Sequence, residues 1–271
     1  MKTKLPFVIG IVTALLSIQA AQSQPLKADV TPMVTIPAGI FKPFFKNPGE
    51  PESVRVERFE MDATPVTNEQ FLVFVKACPE WRKSRVKRIF AEKGYLEMWE
   101  SDTIIGNNVL KNSPVTSVSW FAAKAYADWA GKQLPTIAQW EMAAATPEKG
   151  KTKDELTRKI LDWYAKPNPK TWPPVKSTFK NALGLYDMHG LVWEWTLDFN
   201  SVMISQEARS KGDKNNQLFC GAGAVNSTDF DNYAAYMRYA FRGSISAKST
   251  VRNLGFRCVK NSSKTVSLVR K

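Results

Sequence analysis

Two capping signatures and the short runs between them set the limits on what this chain can fold into. In TPVTNEQFLVFVKAC, Thr67 and Gln70 form the pattern that satisfies free amides at a helix start. Phe71, Phe74 and Val75 follow on one face, so a helix is predicted from about Asn68 to Ala77. In SWFAAKAYADWAGKQLPTIAQWEMAAA, Ser119 caps a second helix ending at Gly131. Thr136 with Gln139 repeats the capping pattern for a third, to about Ala145. Elsewhere short apolar runs are broken by Pro, Gly, Asn and Asp. MVTIPAGIF and RVERFEMD read as early strands, LVWEWTLDF and GFRCVK as late ones. The polar stretch from Pro147 to Lys159 has room for a helix, Pro167 to Pro174 is turn-rich, and the two together read as a surface excursion. No low-complexity linker divides residues 24–271, which are expected to form one irregular domain.

At the N-terminus, Lys2 and Lys4 precede an apolar run from Leu5 to about Ala20, and Ala21-Gln22-Ser23 offers a small-x-small cleavage site. Residues 1–23 read as a secretory signal peptide. The run falls short of the roughly 20 apolar residues a membrane-spanning helix needs, so the expectation is an exported, periplasmic or extracellular protein with no transmembrane segment after cleavage. No cysteine follows the run to carry a lipid. Cleavage removes two lysines and no acids, which leaves +11 of the formal +13. Such a charge favours an acidic protein or peptide partner, or an anionic envelope surface; nucleic acid is not expected, because export separates the chain from most of it. WRKSRVKR, residues 81–88, is either a solvated face or an anionic docking surface. Cys78, Cys220 and Cys258 allow at most one internal disulfide.

The densest stretch is GLYDMHGLVWEWTLDF, residues 184–199, with Glu194 between Trp193 and Trp195 and the only histidine, His189. A carboxylate among large aromatic surfaces is costly to bury unpaired. Its compensation is a cation, an arginine such as Arg238, Arg242 or Arg257, or water. If LVWEW is extended, the two tryptophans face one side and Glu194 the other. His189 is expected to be structural, since a metal centre for redox or hydrolysis needs further nitrogen or sulfur ligands close by, and no nucleophile-elbow pattern is present.

Five blocks, MVTIPAGIF, FEMDATPVTNEQFLVFV, PVTSVSWFAAKAYADWAGKQLPTIAQWEMAA, NALGLYDMHGLVWEWTLDF and NLGFRC, resemble in order the formylglycine-generating enzyme (sulfatase-modifying factor) family from about Met33 to Lys260. The resemblance implies a single α+β domain related to C-type lectins, with little regular structure. It also implies a structural calcium ion on Asp187, the carbonyls of Gly190 and Val192, and Glu194, oxygen ligands suited to a hard cation. The family's second calcium site has no convincing match in KILDWYAKPNPKTWPPV. Family members oxidise a substrate cysteine with molecular oxygen through two thiols that hold copper, and those positions fall near Asp229 and Ala234. Neither is a thiol, so copper is not expected and no catalytic residue is assigned. Cys258 matches the family's last cysteine, but its partner position is Ala127. That leaves Cys258 free, buried as a small apolar residue, or linked to Cys78 or Cys220. Arg242 and Asn253 match residues bordering the substrate cleft, and Asp229 and Tyr236 complete the expected partner-binding set. The expected function is a calcium-stabilised accessory protein that binds a protein or peptide, with neutralisation of a secreted protein as one form. The alternative is a periplasmic metal-dependent oxidase whose site uses Asp229, Asp231, Tyr233 or Tyr236.

Overall fold

The structure, a computed structural model, describes residues 31–44, 51–200 and 230–261. The signal-peptide expectation, Cys220 and Asp229 lie outside these residues. Among the described residues no helix is long and apolar enough to cross a membrane.

The helix signals translate directly. Helix α1 spans Asn68–Ala77, and its capping box is closed from both sides: the Thr67 amide donates to Gln70 Oε1 at 2.9 Å and the Gln70 amide to Thr67 Oγ1 at 3.3 Å. Helix α2, Trp120–Trp129, is capped by Ser119, and the chain turns away through Gly131 at φ +65°. Helix α3, Ile137–Ala144, repeats the capping box with Thr136 and Gln139.

Each expected strand is shorter than its apolar run. MVTIPAGIF breaks at Pro37 into β1 (Met33–Ile36) and β2 (Gly39–Phe41), since proline lacks the N–H a ladder needs. RVERFEMD likewise supplies β3 (Val54–Val56) and β4 (Phe59–Asp62). Strand β1 pairs antiparallel with β4, and β4 with β7 (Val259–Asn261), while β2 and β3 form a separate hairpin. From LVWEWTLDF only β5 (Trp193–Glu194) pairs, in parallel with β6 (Leu254–Gly255). Leu197 leaves that ladder to donate to the Pro135 carbonyl, and Asp198 Oδ1 accepts from the Ile137 amide at 2.7 Å, holding the start of α3. Gly255 is required by the close approach of chains, because a Cβ there would stand 2.7 Å from the Val115 carbonyl oxygen.

Two apolar clusters carry the fold. One gathers Phe71 and Phe74 of α1, Tyr126 of α2, Trp195 and Phe256; the other packs Ile36, Phe59 and Met61 of the sheet against Trp140, Leu185 and Met188. The stretch expected as a surface excursion requires correction. Helix α4, Lys153–Tyr164, packs on helix α5, Phe230–Ser244, and buries Leu156 and Ile160 against Ala234 in a third cluster. Its polar outer face hid the Leu156/Ile160 pair, which at i, i+4 makes one apolar stripe.

Candidate functional site: a recess ringed by aromatic side chains and buried ion pairs

The expected alternation separates Trp195 from Glu194, but Trp193 of β5 lines the same recess as Glu194. Trp195 enters the large core and donates to the Val118 carbonyl at 2.9 Å, whereas Glu194 faces Trp140 and Arg257. Arg257 grips Glu194 as a fork. Its Nε donates to Oε1 at 3.0 Å and Oε2 at 2.8 Å, its Nη2 donates to Oε1 at 2.8 Å, and Trp140 Nε1 adds a bond to Oε2 at 2.7 Å. Both charged side chains are 0% exposed. Arg257 also donates to the carbonyls of Asp62 and Tyr186, so all three of its nitrogens are engaged.

This arrangement decides whether the expected calcium ligands fit the ion. A carboxylate offers about four acceptor positions, and those of Glu194 already meet a guanidinium and an indole N–H. Asp187, held at φ +57°, spends its carboxylate on the amides of Lys176 and Thr178 and on Thr178 Oγ1 at 2.8 Å. Gly190 takes φ +96° under Thr178, and Val192 is fully buried. Calcium at Glu194 does not fit this donor set unless it displaces Arg257, which supplies the positive charge assigned to the ion. Among the described residues no group of three or more His, Cys, Asp or Glu side chains is placed to hold a metal.

His189 occupies a structural setting. Its Nε2 lies 3.2 Å from the Ala144 carbonyl, its ring stands edge-on to Trp140 at 5.5 Å, and Nδ1 has no partner among the described residues. Burial depresses its pKa to about 3, so the imidazole is neutral, with the proton on Nε2 facing the carbonyl.

A second ion centre was not legible as such. Glu141 of α3 is buried and meets two guanidiniums from α5. Arg238 Nη2 donates to Oε2 at 2.8 Å, with Nε 3.0 Å from both oxygens, and Arg242 Nη1 donates to Oε1 at 2.7 Å. Burial would raise the Glu141 pKa, but the two cations outweigh it and hold it at about 2. The signal lay in α3 itself: Ile137, Glu141 and Ala144 fall on one helical stripe, and a carboxylate among apolar residues demands a partner.

Glu194 of the first centre and Arg238 and Arg242 of the second line a small recess with Trp140, Trp163, Val192, Trp193 and Phe241. Trp193 is its platform, stacked on Phe241 at 4.5 Å and Tyr164 at 5.1 Å, with Trp163 5.1 Å away. Of the expected cleft residues, Arg242 lies on this recess. Asn253 adjoins it through its carbonyl, which accepts from the Trp193 amide at 2.8 Å, while its side chain donates to Asn168. Tyr236 stacks on Tyr233 at 6.4 Å. Ala234, where the second thiol is expected, is buried against α4, and its carbonyl accepts from Arg238 Nη1 at 3.0 Å and Tyr164 at 3.3 Å. Among the described residues Cys78 and Cys258 are free thiols, and Cys258 is buried in the same cluster as Ala127. Burial, then the neighbouring Asp62 charge, pushes the Cys258 thiol pKa well up, so the group is inert rather than nucleophilic.

The sulfatase-modifying factor enzyme 1-like domain matches residues 19–262 of the chain. The formylglycine-generating enzyme of Streptomyces coelicolor is 30% identical over 256 residues, covering 79% of this chain and 81% of that protein. The inactive C-alpha-formylglycine-generating enzyme 2 of Bos taurus is 29% identical over 279 residues, 83% of this chain and 87% of that one. The serine/threonine-protein kinase Pkn1 of Chlamydia trachomatis is 32% identical over 152 residues, 55% of this chain, which spans only 24% of that relative. Among solved structures, PvdO from Pseudomonas aeruginosa aligns over 85% of this chain and 94% of its own at 20% identity, with a TM-score of 0.44.

Proposed function

The chain belongs to the sulfatase-modifying factor family, and from that premise we propose that it is a binding member rather than a formylglycine generator. It acts as an accessory domain that holds a protein or peptide partner at the face bearing Trp193, Arg242 and Asn253. The observation that carries this reading is the setting of Ala234. Where the resemblance calls for a copper-binding thiol there is a methyl group, packed from α5 against α4, and the residue's carbonyl is tied to Arg238 and Tyr164. A soft metal ion prefers sulfur ligands, and neither Ala234 nor Asp229 supplies one. That a relative of similar identity bears the name of an inactive enzyme is in keeping with this reading.

The same proposal includes export through residues 1–23 to the periplasm or beyond, a frame related to C-type lectins, and an acidic partner drawn by the +11 formal charge left after cleavage. The test is co-purification from the native source followed by size-exclusion chromatography. The reading expects elution with a stoichiometric protein partner. Elution alone, with oxygen consumed in the presence of a cysteine peptide and a transition metal, would overturn it.

A further inference from the structure

The buried charges around the recess do not cancel. Glu194 is matched by Arg257, but the single carboxylate of Glu141 faces both Arg238 and Arg242. Arg238 spends its nitrogens on Glu141, the Ala234 carbonyl and Tyr164. Arg242 is different. Its side chain is 6% exposed, yet among the described residues it donates one hydrogen bond, to Glu141, out of the five N–H groups a guanidinium carries. Its guanidinium sits 5.3 Å from the Trp140 ring and 5.6 Å from that of Tyr239, contacts that hold its plane without engaging its remaining donors. A further acid, Asp198, is turned to the Ile137 amide and senses Arg242 only through space. A buried cation with unspent donors at the edge of an aromatic recess is costly unless an anion meets it.

We infer that Arg242, framed by Trp140, Trp193 and Phe241, is a receptor for a carboxylate group that enters this recess. The planar fork of a guanidinium matches a carboxylate through paired, charge-assisted N–H···O bonds. The recess has space for about one water-sized group, so a single carboxylate oxygen enters it and the body of the ligand lies outside, against Trp163 and Trp193. The carboxylate has two sources, a free small acid or an acidic side chain on a peptide. The inference rests on the binding reading above only for the second source.

The experiment is isothermal titration of the full chain with acetate and with an N-acetylated, C-amidated pentapeptide bearing one central glutamate, each against its neutral amide counterpart. The expected result is binding of a carboxylate form and none of its amide. Tight binding of the peptide but not acetate assigns the site to a partner's acidic side chain; the reverse assigns it to a small acid. Arg242→Lys keeps the charge opposite Glu141 but loses the fork, and it is expected to weaken binding at least about ten-fold. Near-UV circular dichroism of this variant shows whether the site is intact. Trp163→Phe, at the outer wall, is expected to weaken the peptide more than acetate. Equal binding of acid and amide, no binding of either acid, or unchanged affinity in a folded Arg242→Lys protein would each overturn the inference. Those outcomes leave the absence of aldehyde chemistry untouched, so the two proposals fail separately.

Discussion

Arg257 closes on Glu194 through three hydrogen bonds of 2.8 to 3.0 Å, with both side chains wholly out of water and 63 residues apart in the chain. This pair ties the β7 side of the fold to β5 and stands where the resemblance implied a metal ion.

Removing either partner leaves the other charge buried and uncompensated. Glu194→Gln and Arg257→Gln are each expected to lower the unfolding free energy by about 3–5 kcal/mol in urea titrations. The double substitution should cost about 1–3 kcal/mol less than the sum, because the second change removes an already orphaned charge.

Calcium should matter little. A cation binding only the folded chain at a hundred times its Kd would add about 2.7 kcal/mol, several degrees in Tm for a domain of this length. With Arg257 in place, thermal melts in millimolar calcium and in chelator are expected to superimpose. A rise of several degrees with calcium would show the ion displacing or joining the guanidinium.

Acid should destabilise the protein in two overlapping windows. His189 has its folded pKa depressed from 6.5 to about 3, so its neutral form is favoured on folding; the stability it contributes is present above pH 6.5 and fades as pH falls toward 3. Glu141, depressed from 4.5 to about 2 by Arg238 and Arg242 against its own burial, contributes stability that is lost as pH falls below 4.5. Urea midpoints should therefore decline from pH 7 downward. His189→Gln is expected to flatten the slope between pH 6.5 and 4.5, while Glu141→Gln acts below that range.

Much of the fold was legible because its signals are local. Thr67 with Gln70, and Thr136 with Gln139, announce their helices within four residues, and the chemistry of free amides is the same in any context. The site was legible in part. The alternation around Glu194 follows from the pleat, but whether its partner was a cation or one of three arginines is a matter of tertiary approach that no spacing fixes. Arg238 was a candidate for Glu194 and instead serves Glu141 of α3, while α5 meets β5 through Phe241 stacked on Trp193. The role of α4 stayed hidden for the same reason: Leu156 and Ile160 acquire a core only once α5 lies against them.

Restoring one thiol should not restore chemistry. Ala234→Cys places sulfur against Leu156 and Ile160, where burial raises a thiol pKa and keeps it protonated. The variant is expected to bind no copper(I) beyond the unmodified protein, as read by a colorimetric chelator competition.

The central claim is that this frame binds without oxidising cysteine. Mass spectrometry of a cysteine-bearing peptide, incubated with the purified chain, copper(I) and oxygen, tests it most directly. The account expects the peptide mass to stay unchanged over many protein equivalents. Turnover of the thiol to an aldehyde would contradict it.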